Sequence, residues 1–217
     1  MKKTLTTLAT LAALATSSQA SLVIHGAIDG PLALDGNGGD PKALLFRATA
    51  DIANLSIYGV GVANNGGGSD GEEFTGFSGS ILAGDIIAIT LDATHSTFLN
   101  NNFTIAQTYE DGIANINGDD PFELYQSGSV IDTYGDVALD GTGEAWEYTD
   151  SFAYRTGGAA GAFDINNYSL AGINALDGLD EAGTATALAP AFAAVPEPSS
   201  AALLGLAGIA TLLRRRK

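Results

Sequence analysis

Carboxylates spaced by glycine and asparagine are the residues of this chain best suited to chemistry, and the chemistry they suggest is cation binding. Asp35-Gly36-Asn37-Gly38-Gly39-Asp40 alternates carboxylate and amide oxygens with glycine, as calcium loops do. Asn64 to Glu73 (with Asp70, Glu72 and Glu73), Asn117-Gly118-Asp119-Asp120-Pro121 and Asp136 to Glu144 are built alike. Asp119, Asp120 and Asp136 form the candidate metal set, around which a Mg²⁺- or Ca²⁺-dependent secreted hydrolase is conceivable. No segment has the EF-hand spacing, because no bidentate Glu stands at the right distance. A plainer reading competes everywhere: tight turns also need Asp, Asn and Gly, for left-handed geometry and Asx hydrogen bonds. Calcium at one of these loops is the sole cofactor candidate.

Other chemistries find fewer residues. A Ser-His-Asp arrangement needs a histidine, and neither His25 nor His95 is accompanied by a Gly-x-Ser-x-Gly elbow. Both histidines are read as solvated surface residues, and two alone make a poor zinc site. Adjacent acids such as Glu72/Glu73 or Asp119/Asp120 could serve glycoside hydrolysis, which needs two carboxyls about 5–10 Å apart. Among so many acids, such pairs arise by chance. No catalytic residue is assigned. Arg155, in the aromatic run Phe152-Ala153-Tyr154-Arg155, is expected to make a structural ion pair or a backbone clamp. Cysteine is absent, which removes thiol chemistry and disulfides together.

The elements that must position these loops occupy the middle of the 217 residues. Leu22-Val23-Ile24, Ala43 to Phe46, Leu55 to Val62 and Ile86 to Leu91 are short apolar runs of strand type. Phe122 to Gln126 and Val130 to Tyr134, joined through Ser127-Gly128, give the clearest hairpin signal. Trp146 to Tyr148 and Phe152 to Tyr154 supply strand-type aromatics. Helical periodicity is confined to a turn or two at Thr94 to Asn100 and at Asn174 to Ala182. With 28 glycines, many short strands and close loops, the expected class is an all-β sandwich over residues 21–182. Residues 183–194, made mostly of small side chains with proline, read as a spacer.

Both ends read as tags. Residues 1–20 carry Lys2 and Lys3, an apolar stretch and the small-residue ending Ser18-Gln19-Ala20, the layout of a cleaved signal peptide. At the other end, Val195-Pro196-Glu197-Pro198 precedes an apolar run closed by Arg214, Arg215, Arg216 and Lys217. Ser199 to Leu213 as a helix would be about 22 Å long, short of a roughly 30 Å hydrocarbon core. The basic cluster would act as a membrane stop on the cytoplasmic side. Between the tags only Lys42, Arg47 and Arg155 oppose 24 acids, a net charge of about −21. Such a surface repels phosphate backbones, so nucleic acid is excluded as a partner.

The order Pro-Glu-Pro, apolar helix, Arg cluster over residues 195–217 resembles the PEP-CTERM sorting signal. That resemblance implies recognition by an exosortase, processing near Pro196-Glu197-Pro198, and an exported protein passing through the membrane to the cell surface. The middle resembles the secreted bacterial lamin tail domain. The likeness runs through Gly39 to Phe46, Asp51 to Gly59, Leu82 to Asp85, Asn117 to Leu124, Val130 to Gly135 and Trp146 to Arg155. Leu44-Leu45 stands where relatives often carry a Glu, so no polar role carries over there. The resemblance implies an immunoglobulin-like β-sandwich acting as a non-catalytic interaction module, with an extracellular polysaccharide or a surface protein as its partner.

Overall fold

The computed structural model describes residues 20–193. The expected signal peptide, sorting motif and transmembrane helix fall on residues 1–19 and 194–217 and lie outside the described residues, apart from Ala20. Among the described residues, no helix is long and apolar enough to cross a membrane.

Among the described residues, nine strands build two facing sheets. They are β1 (Leu22–Leu32), β2 (Asp40–Ala48), β3 (Tyr58–Val62), β4 (Ile86–Thr90), β5 (Gln107–Glu110), β6 (Phe122–Gln126), β7 (Ser129–Tyr134), β8 (Ser151–Arg155) and β9 (Tyr168–Leu170). One sheet runs β5-β4-β2-β1-β8-β9 and the other β3-β6-β7. Every pairing is antiparallel except β4 with β5. The result is sandwich-like, as expected, with two helices added on the outer face of the larger sheet.

Strands β1, β2 and β4 contain the short apolar runs of the sequence, and both their faces are buried. Leu22, Ile24, Leu44, Phe46, Ile87 and Ile89 point at the smaller sheet and meet Val60, Phe122, Leu124 and Tyr134. Ile28, Ala43, Leu45 and Ala88 point the other way, against Phe98 and Leu99 of α1 (Ala93–Asn102) and Leu188 and Ala191 of α2 (Glu181–Phe192). A bulge lies between Ile24 and Gly26, so His25 is the extra residue of β1 and the inward parity changes after it.

Several local readings change with the fold. The hairpin is as expected, with Ser127 (φ 52°) and Gly128 (φ 80°) supplying its turn. The Trp146–Tyr148 segment is not a strand; it turns and plugs the open edge of the core, with Tyr148 fully buried. The stretch expected to be a spacer is mostly α2. Asp180 caps it, its carboxylate accepting from Gly183 N–H at 2.8 Å, and small residues let Leu188 and Ala191 reach the sheet. Pro190 removes one backbone donor from the last turn. Of the Asn174–Ala182 stretch, Asn174 to Gly178 form turns and only Glu181 and Ala182 belong to that helix.

One buried ion pair joins the two sheets. Arg155 on β8 donates from Nη2 to both oxygens of Asp132 on β7 at 2.7 and 2.8 Å, and to Tyr168 Oη at 2.6 Å. Its Nε donates to Ile24 O at 2.7 Å, while Asp132 accepts from the N–H of Ile24 at 2.8 Å and of Gly161 at 3.0 Å. Ile24 lies just past the last rung between β1 and β8, so the two side chains satisfy backbone groups that no strand reaches. Arg155→Met leaves a buried carboxylate without its cation and is expected to cost about 3–5 kcal/mol. Asp132→Asn/Arg155→Met should cost less than the two single changes summed, read by urea unfolding.

Candidate functional site

Loops at one end of the sandwich gather many of the acids. They follow β1 and β7 and precede β2 and β6, so Asp35, Asp119, Asp120, Asp136 and Asp140 share that end. Their carboxylates are largely spent on backbone. Asp35 accepts from Asn37 N–H at 2.8 Å, Asp136 from Ala138 N–H at 3.0 Å and Asp140 from Thr142 N–H at 2.9 Å, each an Asx turn. Asp120 is buried and binds the N–H of Asn65 (2.8 Å) and of Asn117 (3.3 Å), pinning two loops together. Burial raises its pKa, and those two N–H groups pull it back.

Asp119 differs. Its Oδ2 accepts from Thr142 Oγ1 at 2.8 Å, but its Oδ1 is buried with no hydrogen-bond partner. Of the candidate metal set, Asp119 and Asp120 are neighbours in one loop, whereas Asp136 is tied into its own turn. Among the described residues no group of three or more His, Asp or Glu converges to hold a metal ion.

Beside these loops a cleft of about 350 Å³ is lined by Val62, Asn64, Glu73, Asp111, Ile113 and Asn115. Glu73 holds its rim, accepting from Val62 N–H at 2.8 Å. Amides and carboxylates around a shallow apolar floor can donate to and accept from hydroxyl groups.

Neither histidine is at the surface, contrary to expectation: His25 is 1 % exposed and His95 4 %. His95 Nδ1 accepts from Lys42 N–H at 2.6 Å, so the ring proton sits on Nε2, which donates to Asp40 Oδ1 at 2.9 Å. With both nitrogens engaged, the imidazole is a bracket between α1 and β2. Lys42 Nζ in turn reaches Asp29 and the carbonyl of Ile116.

His25 owes its burial to the bulge, which aims it at the end of α2. Its Nε2 lies 2.6 Å from Ala191 O, a pure acceptor, and so carries the proton. Arg47 Nη2 stands 3.2 Å from that nitrogen and donates to Ala193 O at 3.3 Å. Two side chains of the sheet thus cap the last carbonyls of α2, where the helix dipole favours positive charge. Sequence reasoning missed both roles. The scarcity of bases was the one available sign for Arg47; nothing in the sequence marks the bulge.

Burial, then Arg47 and Arg155, push the His25 imidazole down to about 4, against Ala191 O. Its unfolded value is near 6.5, so between those two pH values the unfolded chain binds the extra proton. The contribution is complete above pH 6.5 and is lost as pH falls toward 4. The shift corresponds to about 3 kcal/mol. Asp29, Asp120 and Asp132, raised mainly by burial, act with the opposite sign. The measurement is therefore a comparison: wild type should lose more stability than His25→Gln between pH 6.5 and 4, by urea unfolding at each pH.

Comparison with known proteins bears on the C-terminal end alone. No curated protein and no solved structure matches the chain. Residues 194–217 match the PEP-CTERM protein-sorting motif, which indicates an exported protein sorted by an exosortase.

Proposed function

We propose that this chain is a cell-envelope or extracellular-matrix protein whose body is a non-catalytic interaction module, an immunoglobulin-like sandwich of the lamin tail type. An exosortase processes the tag at Pro196-Glu197-Pro198 and delivers that body to the cell surface. Two facing sheets of mostly antiparallel strands support the fold reading. The observation that carries the functional one is how the reactive side chains are spent: His95 uses both ring nitrogens, and the loop acids hold backbone N–H groups. One surface left open to a partner is the cleft beside Asn64, Asp111 and Asn115, whose polar rim suits the hydroxyls of an extracellular polysaccharide. Intact-mass analysis of the chain from exosortase-bearing cells should find the apolar tail and Arg214–Lys217 removed. Glu197→Ala, or loss of the exosortase, should leave them attached; removal in both cases would sink the sorting mechanism.

A second reading, a metal-dependent hydrolase, is favoured by Asp119 Oδ1 alone, a buried carboxylate oxygen with no hydrogen-bond partner. On that reading millimolar Ca²⁺ or Mg²⁺ raises the unfolding temperature by mass action, and Asp119→Asn abolishes the rise. Calorimetry with no heat of divalent-ion binding at those concentrations removes this reading.

A further inference from the structure

Both chain ends of the described body leave from the end opposite the acidic loops. Ala20 O accepts from Thr49 Oγ1 at 2.8 Å, and Ser21 O accepts from Thr49 N–H at 2.8 Å, at the close of β2. Ala193 O is held by Arg47, which pairs with Val23 at the start of β1. Phe192 stacks on Phe103 at 4.0 Å between ring centroids, with the planes 8° apart. The last described residue is therefore fixed to the sheet, and one residue stands between it and Val195 in the sequence. From Ala193 to Ser199, where the apolar run begins, a fully extended chain spans at most about 21 Å.

Among the described residues the exposed large apolar side chains divide between the two ends, with Leu139, Ile173 and Leu179 toward the acidic loops, and what sets this end apart is its charge. Leu82, in the turn before β4, is 65 % exposed; Ile57, before β3, is 38 % exposed; Val130, beside the β6–β7 turn, is 44 % exposed. The strand registers put all three at the end that carries Ala20 and Ala193. Asp51, Asp85 and Asp164 are the acids there, whereas the far end holds Asp35, Asp111, Asp119, Asp136, Asp140 and Glu147.

We propose that this end of the sandwich rests against the lipid surface while the chain is being sorted, with Leu82, Ile57 and Val130 as its contacts. The proposal builds on the reading of residues 194–217 as a membrane-inserted tag. A tether of about 21 Å between a fixed residue and the start of the apolar run keeps this end of the sandwich the nearest to the bilayer's interfacial layer. Apolar side chains gain by entering that layer, and an anionic surface repels the carboxylate-rich end. With the N-terminal exit beside the C-terminal one, a precursor still holding its signal peptide would meet one bilayer through both ends in the same pose.

The chain has no cysteine, so a single engineered one reports one place. Full-length Leu82→Cys and Leu139→Cys carry an environment-sensitive fluorophore; Leu139 is 40 % exposed and lies at the acidic end. Both are reconstituted in phosphatidylethanolamine–phosphatidylglycerol vesicles, with and without a lipid-borne nitroxide quencher. The expected result is a blue shift and loss of fluorescence at position 82 and neither at 139. Equal quenching at both positions, or none at 82 in vesicle-bound protein, overturns the proposal. Shielding at 82 that follows protein concentration and ignores the quencher assigns the face to a second copy and also overturns it. Protein that fails to float with the vesicles defeats the membrane-tag reading itself, and the proposal with it.

Discussion

The guanidinium of Arg155 does for this sandwich what a disulfide does in many exported domains: it ties one sheet to the other at a fixed point. The chain has no cysteine, so the join is made by charge and hydrogen bonds. Asp132 and Arg155 reach Ile24 where β8 ends, so removing either orphans backbone groups as well as a charge. The Tyr168 ring stacks against the same guanidinium at 4.8 Å, bringing the edge strand β9 into the arrangement. The pair holds Ile24 directly before the bulge that turns His25 toward α2.

Much of the scaffold is legible in the residues because its signals are local. The hairpin is fixed by a turn whose two residues take positive φ, and β2 and β4 by continuous apolar runs. Arg155 stands out as one of three bases in an acidic body, and its role as a clamp follows from that scarcity. Strands β5 and β9 are short, half-exposed edge strands, with too little patterning to be seen. Helix α2 is hidden for a different reason. Its Ala-, Thr- and Pro-rich composition is that of a linker, and it becomes a helix because Asp180 caps it and the sheet supplies the apolar wall for Leu188 and Ala191.

The candidate site is less legible than the fold. Asp119 and Asp120 look equivalent in sequence, yet one pins two loops through backbone N–H groups and the other keeps an oxygen without a partner. The histidines look like surface residues because their neighbours are polar or near a processed end. Their burial is decided by partners 53 and 166 residues away. Such pairings are properties of the register, which no short window carries.

The scarcity and placement of the bases also govern how the exported body meets digestive enzymes. A protease cutting after lysine or arginine finds three candidate bonds between residues 21 and 193, following Lys42, Arg47 and Arg155. All three residues lie within β2 or β8, with side chains committed to Asp29, to the end of α2 or to Asp132. Cleavage must wait until a central strand leaves the sheet, so its rate is set by the opening of the whole sandwich rather than by loop exposure. The glycine-rich loops, open to solvent, offer such enzymes nothing to cut.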